Sequence, residues 1–238
     1  MQDFVHLHVH TQYSTLDGHA PIKKLVDKAL ADGMKGMAVT DHGNMMGIKE
    51  FYNYVKKLKG EARGRIKEIE AQLADMTEES PKKAELLAEK ERKQAVIDFM
   101  PVFGCEMYVA RRGKEKKEER LDQSGWHLVV LAKNEKGYHN LIKLVSRAWT
   151  DGFYMRPRTD HADLEHYKEG LVVSSACLAG ELPWKILRGE MNSAEESLKW
   201  YVDTFGEDFY LELQDHGILD EKRALNGLLR ISEETGIP

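Results

Sequence analysis

A chain of 238 residues with 42% hydrophobic side chains is long enough for one large α/β domain, and no apolar run reaches membrane-span length. A formal net charge of −5 argues against a broad basic surface gripping nucleic acid unaided, although a local patch fits inside an acidic whole. Cys105 and Cys177 lack CxxC spacing, so no disulfide framework is indicated, and Met1, Gln2 and Asp3 run straight into a strand without a signal peptide. The cytoplasm is the expected compartment.

The first predicted element is a strand over residues 4–10, Phe4-Val5-His6-Leu7-His8-Val9-His10. Strand side chains alternate between faces, so His6, His8 and His10 share one face while Val5, Leu7 and Val9 enter apolar packing. Ile22, Leu25, Val26, Ala29 and Leu30 recur at helical spacing over residues 21–32, with Pro21 in the first turn and Gly33 at the end. A short apolar strand over 37–40 runs into Asp41-His42-Gly43, and a helix over 47–59 follows. Strands are predicted over 101–109, 127–132, 171–175 and 209–214, and helices over 135–149 and 220–235. Alternating short strands and helices imply a mostly parallel sheet, open or closed.

Residues 61–98 break that rhythm, being rich in Glu, Lys, Ala and Arg. Ile66, Ile69, Leu73 and Met76 mark a narrow apolar stripe, Ser80-Pro81 interrupts it, and Ala84, Leu87, Glu91 and Ala95 continue a second helix. The pattern predicts a charged helical hairpin inserted into the domain, either solvated decoration or a partner-binding arm.

Residues able to bind metal gather at the strands. His8 and His10 close the first, Asp17 follows it, His42 ends the second, Glu106 lies on the third and His127 on the fourth. Cys177 follows the fifth strand and His216 the sixth. In parallel α/β folds the carboxyl ends of strands form the site, which would gather these distant positions. Each alone has a plainer reading: paired barrel histidines, an Asp-Gly turn at Asp17-Gly18, a packed cysteine, which is how Cys105 is read. Their joint occurrence is what the plain readings explain badly.

The runs His8-Val9-His10-Thr11, Tyr13-Ser14, Leu16-Asp17-Gly18 and Thr40-Asp41-His42-Gly43 resemble the polymerase-and-histidinol-phosphatase (PHP) superfamily. Five further runs carry a finer likeness, to the PHP domain at the N-terminus of bacterial DNA polymerase III alpha subunits. They are Phe4-Val5-His6-Leu7-His8, Gly104-Cys105-Glu106-Met107-Tyr108-Val109 and Gly152-Phe153-Tyr154-Met155-Arg156-Pro157-Arg158. Gly170-Leu171-Val172-Val173-Ser174-Ser175-Ala176-Cys177-Leu178 and Leu211-Glu212-Leu213-Gln214-Asp215-His216-Gly217 complete them.

The resemblance implies a distorted (β/α)7 barrel over residues 1–238, with residues 61–98 as the inserted hairpin and up to three divalent ions. Carried over, His8 and His10 hold one ion with Glu106, Glu106 bridges to another held by His127 and Cys177, and Asp17 and His42 serve the third. The catalytic set would be Asp17, His42 and Glu106. His6 would be a barrel-interior residue and His216 a site-lining one, while His19, His139, His161 and His166 read as surface or structural. Zinc suits the ligands best, with manganese or iron as substitutes. Family members end the centre with an Asp-x-His pair on a further strand. This chain stops at Thr235-Gly236-Ile237-Pro238, so a barrel truncated before its last strand is expected.

The implied reaction is hydrolysis of the 3′-terminal phosphodiester of a primer, a proofreading 3′–5′ exonuclease. Arg156 and Arg158 are read either as gripping phosphate, with Lys133 helping, or equally as members of structural ion pairs. The implied partners are the rest of the polymerase alpha subunit, DNA primer-template, a proofreading exonuclease subunit and the sliding clamp, with no membrane. The rival readings are an independent phosphatase such as histidinol phosphatase and a non-catalytic metal-binding scaffold.

Overall fold

The computed structural model describes residues 4–118 and 120–238; Met1, Gln2 and Asp3, which figured in the signal-peptide reading, lie outside the described residues. The chain forms two compact units, one of Met1–Val39 and Met46–Val102, the other of Thr40–Met45 and Phe103–Pro238. Six strands and eight α-helices are found among the described residues, a mixed α/β architecture.

In the first unit, helix α1 (Ile22–Ala31) buries Ile22, Val26 and Ala29, the stripe its sequence predicts. It packs on strand β1 (Gly36–Val39), whose four residues are all buried. The segment 4–10 is not a strand. Its ladder is one bridge between His6 and Met37, and the chain bends at His8. Without a ladder the alternation of faces lapses: His6 is exposed and Leu7 is 48% exposed, so neither is an interior residue.

Helix α2 runs unbroken over Ile48–Ala74 and pairs with α3 (Pro81–Asp98). The expected helix over 47–59 and the first arm of the hairpin are therefore one rod. Ala62, Ile66, Ile69 and Leu86 are buried, and Arg65 donates to Glu89 at 2.7 and 2.9 Å. The stripe expected on the second arm is displaced: Ala84, Leu87, Glu91 and Ala95 are exposed and Leu86 is the buried leucine. In an alanine-rich helix the adjacent leucines 86 and 87 give the period no phase, and packing against α2 decides it.

In the second unit, β2 (Met100–Val109, from Phe103 onward) lies antiparallel to β3 (Trp126–Ala132), and β3 antiparallel to β5 (Leu171–Ser174). The short strands β4 (Arg158–Thr159) and β6 (Phe209–Tyr210) run parallel to β2 and β5. The strand expected over 209–214 thus ends at Tyr210. Cys105, Met107 and Val109 of β2 enter the core with Leu128 and Val130 of β3, packed by Leu141 and Leu144 of α4 (Glu135–Thr150). Alternation sends Glu106, Tyr108 and His127 to the other face.

The chain then forms α5 (His161–His166), α6 (Glu181–Leu187), α7 (Met191–Phe205) and α8 (Leu219–Thr235). Helices α5 to α7 have no counterpart among the predicted elements. Ala194, Leu198, Tyr201 and Phe205 of α7 keep helical spacing and are buried. No helix among the described residues is long and apolar enough to cross a membrane.

Candidate metal centre

Strand β3 runs opposite to its neighbours, so its first residues lie beside the last residues of β2, with Tyr108 opposite His127. His127 therefore begins its strand and still reaches Glu106. From β5 the chain passes Ser175 and Ala176 to Cys177. Ala176 adopts φ 57°, a left-handed conformation that costs an alanine about 1–2 kcal/mol. The loop is pinned where the His127 amide donates to Ala179 O (2.9 Å) and the Gly180 amide to Cys177 O (2.8 Å). His42 arrives from the other side of β2: the Gly43 amide donates to Glu106 O (2.8 Å), and Gly43 has φ 69° with Pro157 and Tyr108 against its Cα.

These routes converge on the Glu106 carboxylate, 2% exposed. Oε1 lies 2.9 Å from His127 Nδ1 and 3.6 Å from Cys177 Sγ, which is 3.3 Å from that Nδ1. Oε2 faces His42 Nδ1 at 3.4 Å. The two oxygens thus address different partners, as a bridging carboxylate must. Around a zinc ion with bonds of 2.0–2.3 Å, tetrahedral ligand atoms stand about 3.3–3.8 Å apart. The Glu106, His127 and Cys177 separations fit that cage after a small expansion, and carboxylate, imidazole and thiol are the donors zinc takes. Burial, then the Glu106 charge, push the Cys177 thiol up to about 12, so it ionises only with a cation beside it.

The first unit carries its own part of the predicted set. His10 Nδ1 lies 3.2 Å from Asp17 Oδ1, and the His8 ring stands 5.3 Å from the His10 ring, edge to face.

Three expected site residues have other partners. Arg158 is fully buried, and its guanidinium donates to the carbonyls of Gly152 (3.0 Å), Lys116 (3.1 Å) and Lys114 (2.8 Å). It ties loops together and has no face left for phosphate. Lys133 follows the far end of β3, roughly 20 Å along the strand from His127, and pairs with Asp208 at 2.7 Å. His216 is largely exposed and holds Glu221, through Nδ1 at 2.8 Å and its amide at 2.7 Å. Arg156 remains by the centre, 6.0 Å over the Tyr108 ring. Cys105 is packed, its fully buried thiol donating to Asp41 O at 3.3 Å.

One participant escaped the sequence. Tyr108 stacks on the His42 ring (4.2 Å, 13°) and stands edge-on to His127 (5.3 Å), fixing both imidazoles. The signal was present in the alternation of β2, which places Glu106 and Tyr108 on one face.

The PHP domain model matches residues 6–216. The DNA polymerase III subunit alpha of Borreliella burgdorferi is 40% identical over 236 residues, covering 99% of this chain and 17% of that protein. Its namesake in Treponema pallidum is 36% identical over 237 residues (99% and 17%), and that of Deinococcus radiodurans 33% over 242 (98% and 15%). The chain thus spans about a sixth of the length of these relatives. With most of its length matched by one family model, the chain belongs to the PHP domain family.

Proposed function

We propose that this chain acts as a metal-dependent phosphoesterase domain of a cytoplasmic replicative DNA polymerase, removing mispaired nucleotides from the 3′ end of a primer. The observation that carries the reading is the Glu106 carboxylate, turned by one oxygen to His127 and Cys177 and by the other to His42. The family pattern adds His8, His10 and Asp17 to the ligands, a (β/α)7 barrel to the fold, and residues 61–98 as an insertion. The relatives' name supplies the polymerase context, and primer-template DNA, an exonuclease subunit and a sliding clamp are the partners this reading adds to it.

Zinc, or manganese or iron in its place, would supply activated water and charge for the leaving oxygen. The chain's own residues position that chemistry. Glu106 gathers His127, Cys177 and His42 about one carboxylate, Tyr108 fixes the imidazole planes, and Arg156 presents a guanidinium to phosphate. Cys177 also favours a second reading, a tightly held structural metal in a non-catalytic scaffold, because thiolate binds zinc firmly.

Elemental analysis and release of the terminal nucleotide from a 3′-mismatched primer test both readings, with wild type and Glu106→Gln compared. The assay is run on this chain and on a polypeptide of the relatives' length. Metal-dependent release that Glu106→Gln abolishes is expected. Bound metal without release in either polypeptide would favour the scaffold, and absence of metal would sink both.

A further inference from the structure

The opposite face of β3 carries a cluster that the metal centre does not use. Trp126 precedes His127 and so points away from Glu106, and it is only 9% exposed. Arg111 lies two residues beyond the end of β2, its guanidinium 5.6 Å over the Trp126 ring and 4.8 Å over the Trp184 ring of α6. Arg188, at the end of α6, stacks on Trp184 at 4.0 Å. The indoles meet edge to face at 6.5 Å.

This cluster has more donors than acceptors. Among the described residues Arg111 makes no hydrogen bond or ion pair, and its buried Nε, like the buried Nε1 of Trp126, has no acceptor. Arg188 has one distant carboxylate, Glu190 at 3.9 Å, with both side chains about half exposed. Lys185, 5.1 Å over Trp126, is already held by Glu181 and Ser197. Buried donors without acceptors are rare in folded proteins and costly, and two guanidiniums stacked on the same indole repel. Burial and the Arg188 charge both push the Arg111 pKa down. Cation–π contact holds the guanidiniums in place without neutralising them.

We propose that Arg111 and Arg188, stacked on the Trp126 and Trp184 indoles, form a phosphate-binding site at the start of β3 on the face away from Glu106, separate from the metal centre. Two fork-shaped guanidiniums suit a phosphate group better than a single carboxylate, because phosphate offers more oxygens and can carry two charges. The phosphate could come from a free nucleotide or from a nucleic-acid strand, and the exposed Arg188 guanidinium beside a half-buried indole suits either.

The test is a titration of the 238-residue chain with inorganic phosphate in chelator, so that phosphate on bound metal contributes nothing. The resonance of the Trp126 indole N–H is followed by NMR, and the rest of the spectrum reports folding. A saturable shift is expected, weakened at least about tenfold in Arg111→Gln and in Arg188→Gln. The exposed Arg188 keeps the test alive if the Arg111 variant misfolds. A single-stranded oligonucleotide that binds more tightly than a mononucleotide would identify a strand as the source, and equal affinities a free nucleotide. An unmoved Trp126 resonance, a shift indifferent to both substitutions, or binding of an acidic peptide in place of phosphate would overturn the proposal.

Discussion

Two buried glutamates of the same unit meet opposite company. Glu181, 4% exposed, accepts from Lys185 (2.8 Å) and Ser197 (2.6 Å) at one oxygen and from Tyr201 (3.1 Å) at the other, where His161 also lies at 3.3 Å. Burial alone would raise its pKa, yet His161, Lys185 and Ser197 bring it down to about 2. Glu106 is equally buried, but its neighbours are two imidazoles and a thiol whose proton it helps to retain. The Glu181 site is complete in itself, with a cation and hydroxyls supplied by the chain. The Glu106 site holds groups that all become acceptors once a cation arrives. Burial of a carboxylate therefore identifies nothing; the chemistry of its neighbours separates a structural knot from a metal centre.

The sharpest way to break this contrast is to remove each carboxylate in turn. Glu106→Ala should lose more metal than any other single substitution, and phosphoester hydrolysis should fall by more than the roughly 100-fold typical of outer ligand contacts. His6→Ala and Cys105→Ala should keep their metal. Glu181→Ala should keep its metal and activity but lose about 3–5 kcal/mol of stability, because Lys185 would stay buried without its partner. Elemental analysis and denaturant unfolding of the variants decide the matter. A Glu181→Ala protein short of metal, or a Glu106→Ala protein with a full complement, would erase the distinction.

Acid should affect the two sites differently. A carboxylate whose pKa is depressed on folding stabilises the protein above its unfolded value and loses that contribution as pH falls through the folded one. For Glu181, moving from 4.5 to about 2, the window lies between pH 5 and 2 and the contribution is at most about 3 kcal/mol. Glu181→Gln should flatten the stability profile over that range. At the metal centre the pKa is raised instead, and the proton that Cys177 keeps competes with the metal, so acid weakens this site as well but over a much wider range. A bound cation must displace the Cys177 proton, so zinc affinity should rise about tenfold per pH unit well below 12, measured by chelator competition. Cys177→Ala should lower that slope by one proton. An unchanged slope would remove Cys177 from the ligands.

The difference between the glutamates was half legible in the sequence. Glu106, His127 and Cys177 could be gathered because strand ends meet in space, and because the surrounding runs resemble one family. Helices α1 and α4 were legible because one apolar stripe faces one core. Glu181 was not, since its partners come from α5, α6 and α7, elements the periodicity did not single out. Arg158 stayed open between phosphate and a structural tie for a related reason: its residue type suggests phosphate, whereas carbonyls from distant loops claim every edge of its guanidinium. The segment 4–10 shows the converse error. Alternation describes which faces a strand would present, but a strand needs a partner ladder, and here only His6 and Met37 pair.

The smallest effect expected concerns the loop that delivers Cys177. Ala176 holds φ 57° and is 1% exposed, so Ala176→Gly has opposing consequences. Relief of the left-handed conformation gains about 1–2 kcal/mol, while the lost methyl burial and the greater freedom of glycine in the unfolded chain cost roughly as much. Thermal stability of the metal-free protein should therefore change by less than about 1 kcal/mol. Metal affinity should not be so indifferent. With alanine the loop is held to one conformation, tied down by His127 and Gly180, with Cys177 Sγ 3.3 Å from His127 Nδ1. Glycine would let that loop sample others, and zinc would pay for its ordering, so affinity should fall by about 3- to 10-fold. The Glu181 network lies on other elements and should respond to Ala176→Gly neither in its acid window nor in its stability contribution. A variant with unchanged zinc affinity would mean that the thiol is placed by its packing alone and that the backbone conformation at Ala176 has no part in the metal centre.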